Sequence, residues 1–246
     1  MELVGKTILI TGASKGLGRA IAVRLNRKQA NLILVARSNE YLEQTAQLIE
    51  QDGGKKPLTI PCDISREEEV ERMAEIIRGQ YDHLDTLVNN AGIGIYKTAD
   101  RMTSVEMREQ FAVNLFGPFY CIKALLPLMK RSKGGYILNI GSLFSKTALA
   151  DNSLYAATKY ALAGFSKGLR QEMKKHPIHV GLFLPGPMKT SFQDLRDEKA
   201  TKAPGLFTLQ PERAAAEVEK MIVKRKKEVC MYRWMLYLLK MKQALT

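Results

Sequence analysis

The chain has 246 residues, 46 % of them hydrophobic, and a net charge of +13, which suits one large α/β domain with a sizeable core. No apolar run approaches the roughly 20 residues of a membrane span, and the opening "MELVGKTILITG" lacks the pattern of a secretory leader. Three scattered cysteines, Cys62, Cys121 and Cys230, without a CxxC or Cys/His cluster, argue against a disulfide framework or a zinc site and for a reducing cytoplasm.

The first strand, "TILIT" (7–11), runs into "GASKGLGRAIA". Gly12, Gly16 and Gly18 stand where strand turns into helix, letting the backbone turn tightly and approach a pyrophosphate resting on the helix N-terminus. The spacing is GxxxGxG, a longer turn than GxGxxG, and the alternative to a cofactor turn is one needed only for packing. The second strand, "NLILVA" (31–36), is followed by Arg37 and Ser38, where an acid would hydrogen-bond a ribose 2′-hydroxyl. Arg37, with Lys15 in the glycine turn, suits a 2′-phosphate instead, and the nearest acid, Glu40, belongs to the next helix. The third strand, "LTIPC" (58–62), leads to Asp63, a cap for a helix starting near Ser65. Then come "TLVNN" (86–90), a helix from near Val105 that contains Asn114, and "YILNI" (136–140), followed by Ser142. The next helix carries Tyr155 and Lys159 one turn apart on one face, a pair that chance alone would supply about once in such a chain. After "HVGLFL" (179–184) the stretch 185–208 reads as a loop with a short helix. A helix from Pro211, a seventh strand in "EVCMY" and an apolar, basic helix over about 233–244 close the chain.

Strands alternating with amphipathic helices predict a doubly wound parallel sheet of about seven strands with helices on both faces, in one domain, 1–246, with a loop over about 188–210. The charge favours anionic partners. "KRKKE" (224–228) reads as a solvated helix end, and with no accompanying motif no nucleic-acid partner is expected.

The glycine turn, "NNAG" (89–92), Asn114, Ser142, "YAATK" (155–159) and "PGPMKT" (185–190) occur in one order over residues 6 to about 190. In this the chain resembles the short-chain dehydrogenase/reductase family, in its single-domain, NADP-dependent form. The resemblance implies a Rossmann-type fold. It implies a cofactor, NADPH/NADP+, held by Gly12, Ser14, Lys15, Gly16, Leu17, Gly18, Arg37, Ser38, Asp63, Ile64, Asn90, Ala91, Gly92, Tyr155, Lys159, Pro185, Gly186, Met188 and Thr190. Asp63 would meet the adenine ring, a reading that stands level with the cap. Asn89 and Asn90 would fix backbone.

The catalytic set implied is Asn114, Ser142, Tyr155 and Lys159. Hydride transfer to a carbonyl leaves charge on oxygen, which needs a proton donor and hydrogen bonds in place. A tyrosine with an ammonium beside it is a better acid–base group at neutral pH than a free one. Ser142 would hold the substrate oxygen, Lys159 the nicotinamide ribose, and Asn114 a water beside the lysine.

The substrate is open. A ketone or aldehyde with an apolar body is the first reading, with Leu143, Phe144, Leu149, Leu154, Phe192, Leu206 and Phe207 as pocket candidates. A 3-oxoacyl thioester on an acidic carrier protein is the alternative, and a non-catalytic NADPH sensor the third. A homodimer or homotetramer is expected, because helices carrying Phe116, Phe119, Leu125, Leu162 and Phe165 have more apolar residues than one buried face absorbs. Three burials are open to the last helix: its own domain, the substrate entrance, or peripheral contact with a membrane.

Overall fold

The computed structural model describes residues 2–188, 194–196 and 208–244. Strands β1 (Thr7–Thr11), β2 (Asn31–Ala36), β3 (Leu58–Pro61), β4 (Thr86–Asn89), β6 (Gly135–Ile140), β7 (Ile178–Leu184) and β9 (Glu228–Cys230) form one seven-stranded sheet, order β3-β2-β1-β4-β6-β7-β9, with every pairing parallel. The chain builds outward from β1 to β3, then returns to lay β4 on the other side of β1. Crevices at such reversals hold ligands in open α/β sheets.

Alternation along the strands decides what covers each face. Ile8, Ile10, Leu32, Leu34, Val88 and Leu138 point to one side. They bury against α1 (Gly16–Asn26), α2 (Asn39–Gln51) and α7 (Pro211–Lys224), chiefly through Ile21, Leu25, Leu42, Val218 and Ile222. Leu9, Ile33, Val35, Leu87 and Ile137 point to the other. There α3 (Glu67–Gln80), α5 (Gly117–Arg131) and α6 (Ser153–Glu172) cover them with Val70, Met73, Ile77, Leu125, Leu128 and Leu169. Strands apolar on both sides follow from helices on both sides.

The two ends of the strands differ. At the N-terminal edge Asp85, 1 % exposed, accepts from Thr7 N (3.0 Å), Ser132 Oγ (2.8 Å) and Lys6 Nζ (3.1 Å). Burial alone would raise its pKa, but these three donors hold it below the ordinary carboxylate value. They tie the approaches to β1, β4 and β6 together. The C-terminal edge carries the glycine turn and the loops after β4, β6 and β7.

Strand and helix ends fall within a residue or two of the sequence reading, and three features depart from it. A second, two-stranded sheet pairs β5 (Gly94–Tyr96) in parallel with β8 (Asp194–Arg196), where a loop with a short helix was expected. The helix from Ser104 is not uniform: α4 (Ser104–Phe111) widens into a π-helical turn (Ala112–Phe116) before α5. The continuous run Ser104–Arg131 is also long and apolar enough, by composition alone, to span a bilayer, although half of that window lies buried inside the protein. Met188 bridges to Leu209, and Leu209 N donates to Pro187 O at 2.7 Å, so chain positions 187–188 and 208–209 lie side by side.

Candidate active site

The glycine turn is built for close approach. Gly12 has φ +65°, and a Cβ there would stand 2.8 Å from Ala91 Cα. A Cβ on Gly18 would stand 2.1 Å from the carbonyl oxygen of Gly12. Asn90 Nδ2 closes the contact, donating to Thr11 O (2.9 Å) and Gly12 O (3.2 Å). Thr11 completes it from the other strand: its Oγ1 accepts from Asn90 N (3.0 Å) and Ala91 N (3.1 Å) and donates to Val88 O (3.4 Å). Arg19 Nη2 donates to Ser14 O at 2.5 Å and holds the middle of the turn.

Helix α1 begins here with Lys15 extended at its N-cap and no side chain capping its first N–H groups. Those groups, at Gly16, Leu17 and Gly18, keep donors for an anion, as a pyrophosphate at a helix N-terminus requires. The narrow, uncapped turn fits a dinucleotide. Ala13 N donates to Val35 O (3.2 Å), drawing the turn to the end of β2. Arg37 follows that end, exposed and, like Lys15, without an ion pair among the described residues. Ser38 caps α2, its Oγ accepting from Tyr41 N at 3.3 Å. Glu40 lies in the first turn of α2.

Asp63 does not cap the next helix, which begins at Glu67 rather than near Ser65. Its Oδ1 accepts from Ser65 N (3.0 Å) and Ser65 Oγ (2.7 Å), closing a turn two residues earlier. Ile64 is buried, and its Cδ1 lies where a Cβ on Gly117 would come within 2.7 Å.

On the other side of the crevice, α6 puts Tyr155, Thr158, Lys159, Leu162 and Ser166 on its buried face. Tyr155 is 6 % exposed, between the rings of Tyr96 (centroids 5.0 Å apart) and Phe144 (5.9 Å, edge-on). Lys159 Nζ stands 5.8 Å over the Tyr155 ring and donates to Ile140 O (3.2 Å), at the end of β6. Burial pushes the lysine's pKa down to about 8. Ser142 follows two residues after Ile140, half-buried, its Oγ accepting from Phe144 N (3.2 Å). Asn114 sits in the π turn, where an added residue per turn re-aims a side chain. Its Oδ1 accepts from Ile93 N (2.9 Å), and its Nδ2 donates to Ile93 O (2.9 Å) and Thr158 Oγ1 (3.1 Å). Thr158 Oγ1 in turn donates to the carbonyl of Tyr155 (2.8 Å).

Asn114, Ser142, Tyr155 and Lys159 therefore gather at the C-terminal edge of β4 and β6, facing the glycine turn across the reversal of strand order. Gly186 is close-packed after β7, a Cβ there reaching within 2.1 Å of the Tyr232 ring; Pro185 is buried and Met188 half-buried. Gly92 and Ala91 follow Asn90 in the same loop. Thr190, Phe192, Leu206 and Phe207 lie outside the described residues. Three residues escaped the sequence reading: Thr11, Arg19 and Thr158. Thr158 had a signal, being polar and one turn from Tyr155 on its buried face; Thr11 and Arg19 act through backbone that only the fold brings near.

A protein-family model described as short chain dehydrogenase matches residues 6–201. The chain belongs to the short-chain dehydrogenase family. This short-chain dehydrogenase is 36 % identical over 230 residues to a fatty acyl-CoA reductase of Acinetobacter baylyi, covering 92 % of this chain and 75 % of that one. A ketoacyl reductase, HetN, of Nostoc sp. is 33 % identical over 228 residues, covering 92 % and 78 %. Among solved structures, an alcohol dehydrogenase from the archaeon Thermococcus sibiricus, complexed with 5-hydroxy-NADP, superposes with a TM-score of 0.82 at 30 % identity, over 92 % of this chain and 95 % of that one. The family and the fitted turn support a nicotinamide dinucleotide as cofactor and an oxidoreductase as the class of protein.

The buried ammonium has a measurable cost. Between pH 8 and the ordinary lysine pKa near 10.4, the unfolded chain binds a proton at Lys159 that the folded one has released. Lys159 therefore destabilises the fold most below pH 8, and its contribution improves as pH rises through that window. Lys159→Met, although it removes a polar group from the site, is expected to stabilise the apoprotein at pH 7 by about 1–3 kcal/mol. The gap between variant and wild type should close by about pH 10.5 in denaturant titrations; a variant less stable at pH 7 would refute the burial cost.

Proposed function

We propose that this short-chain dehydrogenase reduces a carbonyl with NADPH, Tyr155 giving the proton. The observation that carries the reading is Lys159, buried with its ammonium over the Tyr155 ring, opposite a turn fitted to a dinucleotide. A nicotinamide dinucleotide held at the glycine turn would supply the hydride for the carbonyl carbon. Tyr155 passes its phenolic proton to the carbonyl oxygen, and Lys159 favours the phenolate left behind. Ser142 holds that oxygen by its hydroxyl. Asn114 fixes the backbone at Ile93 and, through Thr158, the turn of α6 that bears Tyr155. In the reverse direction Tyr155 is the base.

Tyr96 and Phe144 against Tyr155 favour a substrate with an apolar body next to its carbonyl. A second reading, an acyl thioester, draws on the names of the two reductases to which the chain is similar. Turnover of acetoacetyl thioesters against simple ketones separates the two. NADPH rather than NADH is favoured by Arg37 and Lys15, which flank the ribose end of the crevice where an acid would otherwise stand. Phe116 at the end of the π turn, Phe119 on α5 and Tyr160 on α6 are each about half exposed, while Leu125 and Leu162 point inward and Phe165 packs against the core. That aromatic surface suits a homodimer.

Tyr155→Phe keeps the ring and removes the donor. It should lower turnover at least about 100-fold with NADPH affinity nearly unchanged, and near-normal turnover would sink the assignment. Arg37→Ala should weaken NADPH binding about 10- to 150-fold and leave NADH binding as it was; equal losses would make the residue structural. Light scattering at micromolar concentration should give the mass of a dimer or a multiple of it, and a monomer would refute the interface.

A further inference from the structure

Helix α8 (Arg233–Ala244) carries an exposed apolar stripe. Trp234, Tyr237, Leu238 and Met241, spaced i, i+3, i+4 and i+7, are 47, 62, 56 and 62 % exposed. Met235, Leu236 and Leu239 are half-buried, so the helix is seated by other residues and keeps this stripe outward. The seat is firm at its start: Tyr232 packs on Gly186, its ring stands edge-on to Trp234 at 6.1 Å, and Leu236 N donates to Tyr232 O at 3.1 Å.

Charge accompanies the stripe. No acidic residue follows Glu228, whereas Arg233, Lys240 and Lys242 do. Just upstream, Lys224 and Lys227 are exposed and make no ion pair among the described residues. We propose that α8 is an interfacial helix that seats the protein on an anionic lipid surface. Four side chains on one helix fall well short of the roughly 800 Å² per partner of a stable protein interface. A bilayer surface asks for less: shallow burial of one apolar stripe, Trp and Tyr at headgroup level, and cations beside it. The stripe covers one face of the described helix and leaves polar residues on the other, as in a helix lying along a membrane surface rather than crossing it. The inference stands apart from the proposed reaction.

Trp234 is the only tryptophan in the chain, so its emission reports on α8 alone. The full-length protein is mixed with phosphatidylcholine vesicles, with or without about 30 % phosphatidylglycerol. With the anionic vesicles, emission should shift to the blue and the protein should co-sediment at least about tenfold more tightly than with phosphatidylcholine alone, an advantage that salt erodes. Leu238→Glu places a charge on the exposed stripe. It should abolish sedimentation while melting temperature and turnover of a soluble ketone stay unchanged. Unshifted Trp234 emission with all protein in the supernatant overturns the proposal, and equal binding to both vesicles overturns the role of charge. A change of mass on Leu238→Glu would show that a second copy covers the stripe, and would overturn it too. If that variant does not fold, the wild-type emission decides alone.

Discussion

The approach of β1 to β4 at their C-terminal ends is the constraint on which the molecule turns. Two parallel strands must meet there while the chain leaves one of them for a helix on one face and the other for a loop. Glycine at positions 12 and 18 removes the Cβ atoms that would collide with Ala91 and with the turn itself. Thr11 and Asn90 then satisfy the backbone groups that a broken ladder leaves bare. Side-chain hydroxyl and amide do locally what strand pairing does elsewhere, since an unpaired buried N–H or C=O costs about 1–3 kcal/mol. The result is a narrow slot with free helix N–H groups on one wall.

The opposite wall depends on a chain of polar contacts rather than on one residue. From Ile93 through Asn114 and Thr158 to the Tyr155 carbonyl, each group is both held and holding. A parallel chain runs from Asn89 to Asn139 (2.8 Å) and on to Ser166 (2.8 Å), locking α6 to the centre of the sheet. Buried networks of this kind specify one arrangement when complete and are costly when cut. They fix the height of α6 on the sheet, and so the depth of Tyr155 and Lys159 in the crevice. Lys159 keeps a net burial cost within that rigid frame even with its hydrogen bond to Ile140 O, and perturbed groups of this kind are commoner at functional sites than elsewhere.

Much of this was legible in the sequence. The seven strands announced themselves as short apolar runs, because a strand covered on both faces has no polar side to alternate with. The glycines, Tyr155 and Lys159 were legible because their spacing follows directly from turn and helix geometry. The π turn was not: nothing in "AVNLF" separates it from an α-helix, and its register is set by the contact of Asn114 with Ile93 and Thr158, remote in the chain. The small β5–β8 sheet was hidden for a similar reason. Three-residue strands carry too little pattern, and their partner lies about a hundred residues away. Asp63 was read as a cap or an adenine contact; its carboxylate instead closes a turn on Ser65 before the helix begins.

The pinned ends of the segment after β7 have a consequence for how such a protein can change. Met188 and Leu209 are joined by a bridge at the rim of the sheet, so chain positions 188 and 209 are held side by side. Closing a flexible loop between fixed ends costs only about 0.6 kcal/mol more for each doubling of its length. The seven-stranded sheet, the glycine slot and the network under Tyr155 draw on residues outside 189–207, whereas Asp194–Arg196 tie back to Gly94–Tyr96. Pinned in this way, a chain of this architecture can change in length between positions 188 and 209 at small cost, as long as Asp194–Arg196 keep their pairing with Gly94–Tyr96.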